Sequence, residues 1–174
     1  GRLIGLFFLI PLVYFTLKKG FKKTLSLHFI FFLICFQGVI GWFMVSSGLI
    51  DRLDVSHFRL SLHLTTAFVI LSFILWQILK LKNVGQKQYH FIKYNLPSVF
   101  LFTIFLQIIF GAFVSGMDAG KIYNTWPLMG NSYFPDDNNF VNLFNLNALS
   151  EPSLVQFIHR NLAYIILGIF LIIL

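Results

Sequence analysis

Long apolar runs separated by charged segments constrain the fold of this chain more than any other feature. A helix that crosses a bilayer needs about 20 mostly apolar residues. Five runs of roughly this kind lie at about 3–17, 25–50, 58–79, 92–115 and 154–174. The chain is 57% hydrophobic and only 11% charged, whereas a soluble domain carries about 25% charged residues. The sequence therefore predicts an all-α, polytopic membrane helical bundle with five transmembrane helices.

Charged residues divide unevenly among the segments that connect these runs. Two connections carry lysines and no acid: Lys18, Lys19, Lys22 and Lys23 follow the first run, and Lys80, Lys82, Lys87 and Lys93 follow the third. All six acids lie in the other two connections: Asp51, Asp54, Asp118, Asp136, Asp137 and Glu151. Lysine-rich connections stay on the cytoplasmic or matrix side of a membrane. We therefore expect the N-terminus and the acidic loops on the outer side of a bacterial inner or mitochondrial inner membrane.

The last connection, residues 116–153, is long and combines turn-forming residues with aromatic ones. Ordered loops of this length usually have a function. We expect the loop to fold back over the outer ends of the helices. The single cysteine, Cys35, lies inside an apolar run, so no disulfide forms within the chain.

Two segments that begin with histidine resemble each other, His63–Leu71 and His159–Leu167. The similarity continues in the preceding apolar runs, in the pairs Gln37/Gly41 and Gln107/Gly111. The second and third runs thus resemble the fourth and fifth, and duplicated helix pairs often flank a binding site in membrane proteins. The glycines are explained by close helix packing alone.

The matched histidines favour haem ligation, because a histidine in a membrane helix is costly without a partner. Zinc is disfavoured, since the apolar runs contain no cysteine cluster, no carboxylate and no His-x-x-x-His pair. Two histidines on facing helices can hold an iron porphyrin between them. Ala67 and Ala163, four residues after His63 and His159, leave space on the same helix faces. The alternative is that both histidines only make polar helix contacts.

Other basic residues near the membrane boundaries have weaker assignments. Arg59 and Arg160 lie at the outer edge, where the propionates of a haem would emerge, but both are also typical membrane-interface anchors. His28 and His90 lie near the lysine-rich connections and are predicted to be solvated or interfacial. His57 is predicted to be interfacial, because its six-residue spacing from His63 places the two on different helix faces.

Four parts of the chain together resemble the haem A synthase family, in its alphaproteobacterial and mitochondrial form. These parts are Phe36–Val45, Arg59–Leu64, Gly111–Gly120 with Tyr123–Met129, and Gln156–Tyr164. The resemblance covers essentially the whole chain. It implies an eight-helix membrane enzyme built as two four-helix halves, each holding a haem between two histidines. The family oxidises the C8 methyl of haem O to a formyl group, giving haem A for cytochrome oxidase.

The resemblance also implies roles by position. Residues 1–90 correspond to helices two to four of the N-terminal half, and residues 91–174 to helices five and six with the outer loop 116–153. His63 and His159 correspond to iron ligands, with haem b as cofactor and haem O as substrate. The half that contains His63 would open one iron face for oxidation, and the half that contains His159 would store electrons.

Parts of the family pattern are expected outside these residues. Gln156 stands three residues before His159, where the family's catalytic half has an acid. We expect that acid, in a Glu-x-x-His-Arg motif, just before Gly1, and a further histidine beyond Leu174. No catalytic residue is therefore assigned, and we predict that these 174 residues alone are not a competent enzyme.

Several partners and alternatives follow. We expect contact with a haem O synthase, an electron donor such as a ferredoxin, and membrane lipid, with a homo-oligomer left open and no nucleic acid. One alternative is a bis-histidine b-type membrane cytochrome that only transfers electrons, and another is an inactive fragment of the enzyme. A transporter or assembly scaffold, and pairing of His63 with His159 across a single haem, also stay open.

Overall fold

A computed structural model describes residues 2–48, 55–82 and 91–174, and within these ranges it contains helices and no strand. The helices are α1 (Arg2–Lys19), α2 (Leu25–Gly48), α3 (His57–Leu81), α4 (Phe91–Gly116) and α5 (Pro152–Ile173). Short 3₁₀ turns lie at Phe21–Thr24, Ala119–Lys121, Phe140–Phe144 and Leu146–Ser150. The predicted all-α fold is confirmed. Several residues used in the sequence analysis lie outside the described ones: Asp51, Asp54, Lys87 and His90.

Among the described residues, four segments are long and apolar enough to cross a membrane: Phe21–Ser46, His57–Leu81, Leu96–Gly116 and Pro152–Ile173. Only 6–17% of the most apolar stretch in each is buried within the described chain. Such open apolar surface is typical of helices that face lipid or further protein. The chain is therefore an integral membrane protein. Helix α1 is not among the four, since its 18 residues include Arg2, Lys18 and Lys19, and its crossing stays a prediction.

The chain divides into two compact units. The first contains α1, α2 and the part of α3 from Thr65 onward. Within it α1 packs on α2, with the rings of Phe8 and Phe31 stacked at 6.3 Å. Polar contacts join the two helices at the lysine-rich turn, where His28 lies 3.4 Å from the hydroxyl of Thr16 and 2.9 Å from the carbonyl of Thr24. His28 is therefore a helix-contact residue and not only a solvated one.

The second unit contains residues 57–64 of α3 together with α4, the outer loop and α5. Its centre is the contact between α4 and α5, to which the buried residues Ala112, Leu154 and Val155 contribute. The start of α3 also packs on α4, because the Ser61 hydroxyl donates to the carbonyl of Ile109 at 3.4 Å. The predicted halves, 1–90 and 91–174, are not tested by this division and stay a prediction.

Candidate functional site

His159 lies on α5 about two turns from the start of the helix. The helix begins after Glu151 with Pro152 in its first turn, where proline fits because its missing N–H would have no helical partner. Seven residues separate Pro152 from His159, which is about 10 Å along the helix axis. The side chain is half-buried and is directed at α4, as its contacts with that helix show.

The imidazole of His159 contacts two residues of α4 that lie one turn apart. The amide nitrogen of Gln107 lies 3.2 Å from Nε2 of the imidazole. A Cβ placed on Gly111 would lie 3.1 Å from Cε1 of the same ring. Any larger side chain at Gly111 would therefore press on the ring. The sequence repeat that pairs a glutamine with a glycine four residues later thus has a structural meaning in α4.

Some polar atoms in this contact are left without a hydrogen bond. Nδ1 of His159 and Oε1 of Gln107 are both buried, and neither has a partner among the described residues. Buried polar atoms are nearly always hydrogen-bonded, so each exception needs an explanation. An imidazole with one nitrogen engaged by an amide and the other unengaged suits an iron ligand. The residues present therefore fit a haem, and ligation of its iron by His159 stays a prediction.

His63 lies on α3, in the part of that helix that belongs to the second unit. It follows the buried Ser61 by two residues, and it is half-buried itself, with its Nδ1 buried. Because Ser61 bonds the backbone of α4, the two matched histidines lie on helices that both pack against α4. Among the described residues no three His, Cys, Asp or Glu side chains form a cluster able to hold a metal ion.

His57 packs where α3 starts and does not act as a simple interfacial residue. Its ring meets the ring of Phe113 edge-on at 5.3 Å. A Cβ on Gly116 would lie only 2.8 Å from Cα of His57. The absence of a side chain at Gly116 therefore allows α3 and α4 to approach backbone to backbone.

Arg160, predicted at the edge of a haem, bonds the backbone of the outer loop. One guanidinium nitrogen donates to the carbonyl of Tyr123 at 2.6 Å, and the other donates to the carbonyls of Thr125 at 2.9 Å and Leu128 at 3.5 Å. The amide of Gln156 also donates to the Tyr123 carbonyl, at 2.9 Å. We name this set of bonds the loop clamp. The other predicted propionate partner, Arg59, is half-buried on α3.

The outer loop is folded and lies against α5, which confirms the prediction made for it. Aromatic side chains make the contact on one side: the Tyr133 hydroxyl donates to Asn161 at 2.7 Å, and the Trp126 indole donates to the Tyr164 hydroxyl at 2.7 Å. The peptide bond between Trp126 and Pro127 is cis. Met129, in the middle of this segment, is almost fully buried.

A tight turn at residues 129–136, which we name the Gly130 turn, orders the tip of the loop. Gly130 has φ +90, a conformation that side chains rarely adopt, and a Cβ there would overlap the carboxylate of Asp136. The backbone N–H of Asn131 donates to this carboxylate at 2.6 Å, and the Ser132 hydroxyl donates at 2.9 Å. The bond from the Asn131 backbone has the larger effect and the bond from the Ser132 hydroxyl the next, and together they hold the pKa of Asp136 below its usual value.

The apolar helices and the half-buried imidazole of His159 define a polytopic membrane protein with a candidate site for a prosthetic group. The chain matches the cytochrome oxidase assembly protein family over residues 1–174 and belongs to that family. It is 48% identical over 175 residues to a protein named Heme A synthase from Pelagibacter ubique, covering 96% of this chain and 50% of that protein.

Other relatives named Heme A synthase show similar coverage. One from Flavobacterium psychrophilum is 45% identical over 174 residues, covering 97% of this chain and 51% of the relative. One from Rickettsia felis is 40% identical over 168 residues, covering 92% and 49%. The chain thus spans about half the length of the curated relatives it matches. No solved structure matches it significantly.

The sequence identifies Gln107 only as part of a repeat and does not assign it to the site. The available signal was its spacing from Gly111, since residues four apart share a helix face. That spacing identifies the face but not which residue of a distant helix it meets.

Proposed function

We propose that this chain is part of a haem A synthase and that His63 and His159 each ligate a haem iron. The observation that carries the proposal is the half-buried imidazole of His159, held against α4 in a chain whose curated relatives are named Heme A synthase. Because the chain spans about half of those relatives, the activity is proposed for the complete gene product.

The reaction proposed is oxidation of the C8 methyl of haem O to a formyl group, giving haem A. Haem b, when bound, supplies the iron redox chemistry, and the protein supplies binding, orientation and electrostatics. The protein's share of this work includes His159, which would hold and orient the haem through its free ring nitrogen. Gly111 leaves room for the imidazole ring. The folded outer loop lies against the first half of α5 through the bonds of Trp126 to Tyr164 and of Tyr133 to Asn161.

The arginines divide between two tasks in this proposal. Arg59 keeps its proposed role at a haem propionate. Both terminal guanidinium nitrogens of Arg160 donate hydrogen bonds to loop carbonyls. A propionate would therefore compete with these carbonyls for the same guanidinium group. We propose that Arg160 acts on the cofactor mainly by holding the loop.

The remaining assignments follow from charge and chemistry. We propose that the lysine-rich turns face the cytoplasm or matrix and the outer loop faces the opposite side of an inner membrane. A haem O synthase is the proposed source of the substrate and a ferredoxin-like protein the proposed electron donor. Self-association stays a further proposal.

The test uses the complete gene product in bacteria that lack haem A synthase and accumulate haem O. Haem pigments are extracted and separated from cells with and without the gene. Appearance of haem A supports the enzyme. Bound haem b with no conversion of haem O would instead identify an electron-transferring cytochrome and refute the proposed reaction.

Histidine variants of the same protein test the ligands. His63→Ala and His159→Ala should each lower the haem content of the purified protein, because each removes an iron ligand. His28→Ala is the matched control, since His28 bonds threonines at the turn between α1 and α2. Full haem content in both ligand variants would overturn the assignment.

A further inference from the structure

We infer that Gln107 is a positioning residue for His159, fixing the orientation and the protonated nitrogen of the imidazole that faces the haem iron. The inference rests on the proposed function and extends it to a residue that carries no charge and no metal-ligating group. It begins with one contact, the 3.2 Å separation between the Gln107 amide nitrogen and Nε2 of His159.

A carboxamide suits this task because it can both donate and accept hydrogen bonds. The amide nitrogen of Gln107 donates to the imidazole in the described structure. The amide oxygen, Oε1, is buried without a partner. When a neutral imidazole binds a metal through one nitrogen, its other nitrogen carries the proton and needs an acceptor. Rotation of the amide would present Oε1 to that proton and satisfy both groups.

Gly111 makes the contact possible. It lies one turn beyond Gln107 on the same face of α4, and its missing side chain admits the ring within van der Waals distance. A Cβ only 3.1 Å from Cε1 would press the ring away from the helix. Gly111 thus provides the space in which Gln107 can hold the imidazole.

A role of Gln107 in packing alone does not explain an amide at this position. A residue that only filled space between α4 and α5 would be better served by an apolar side chain, since an unpaired buried amide oxygen costs about 1–3 kcal/mol. Partners of this kind orient the ligand, and their loss typically weakens metal binding about 10- to 100-fold.

The test uses the complete gene product, purified in detergent with its haem. Gln107→Leu keeps the approximate volume but removes the hydrogen bond, and it should speed haem loss from the His159 site by roughly 10-fold or more. Gln107→Glu keeps an acceptor of greater strength and should retain haem while shifting the midpoint potential of that haem to a more negative value. Thr103→Val is the matched control, because Thr103 is buried on the same helix but bonds the carbonyl of Phe100.

The outcomes separate the inference from the proposed function. His159→Ala tests the ligand itself, and full haem content in that variant would defeat the proposed function. Loss of haem in His159→Ala, combined with parental haem loss rate and potential in Gln107→Leu, would overturn only the inference. If Gln107→Leu fails to fold, the potential of Gln107→Glu decides, and an unchanged potential overturns the inference.

Discussion

The loop clamp yields a prediction that separates two roles for Arg160. Arg160→Gln shortens the side chain and removes the short bonds of 2.6 and 2.9 Å to the carbonyls of Tyr123 and Thr125. Hydrogen bonds from a charged group contribute about 1.5–3 kcal/mol each. Because this clamp is partly exposed to solvent, we take about 1 kcal/mol for each bond. The loop should then open about 2 kcal/mol more easily, which is roughly a 30-fold change in its opening equilibrium.

Hydrogen–deuterium exchange of the complete gene product in detergent measures this change. The informative amides are those of Met129 and Asn131, which are hydrogen-bonded inside the Gly130 turn. Lys121→Gln is the matched control, because Lys121 belongs to the same loop and its exposed ion pair with Asp118 contributes little. Both amides should exchange roughly 30-fold faster in Arg160→Gln and at the parental rate in the control.

One combination of results would refute this reasoning. If exchange in Arg160→Gln matched that of the control while bound haem fell, Arg160 would act on the cofactor directly, as the sequence first suggested. Faster exchange with retained haem would support the loop clamp.

Three further predictions concern glycines and the acid of the Gly130 turn. Gly116→Ala should lower the thermal midpoint of the purified protein, because the added Cβ would lie 2.8 Å from Cα of His57. Gly38→Ala is the control and should leave the thermal midpoint unchanged, because a Cβ there has nothing within 4 Å. Gly130→Ala should cost at least about 1–2 kcal/mol in loop opening, and parental exchange in the turn would contradict that. Because the folded turn lowers the pKa of Asp136, its carboxylate stabilises the turn fully at pH values above its usual pKa of 3.8. This stabilisation is lost as the pH falls through the lowered pKa. Exchange in the turn should therefore quicken in acid, and Asp136→Asn should abolish that dependence.

The helical fold could be predicted from the sequence because membrane helices satisfy their own backbone and need little long-range information. The predicted runs 25–50, 58–79 and 154–174 lie within two residues of α2, α3 and α5 at each end. The first run is harder, since three basic residues among 18 blur the apolar signal of α1. The family resemblance is confirmed by the match over residues 1–174.

The partners of individual side chains could not be predicted in the same way. Gln107 and His159 are 52 residues apart, and periodicity does not tell which faces of two helices meet. The position of Arg160 near the helix start predicts a contact with a propionate, but its partners in the structure are carbonyls of a loop 32–37 residues away. Loop carbonyls offer no sequence signal, because every residue has one.

The bond between Trp126 and Tyr164 has a consequence for where lipid can reach α5. Tyr164 lies 12 residues after Pro152, which is about 18 Å of helix axis. The hydrocarbon layer is about 30 Å thick, and the 22 residues of α5 extend about 33 Å. Hence the acyl chains cannot surround the first half of this helix on the flank that Trp126 occupies. On that flank the indole of Trp126 lies where an acyl chain would otherwise contact the helix, and the imidazole of His159 lies within the same half of α5.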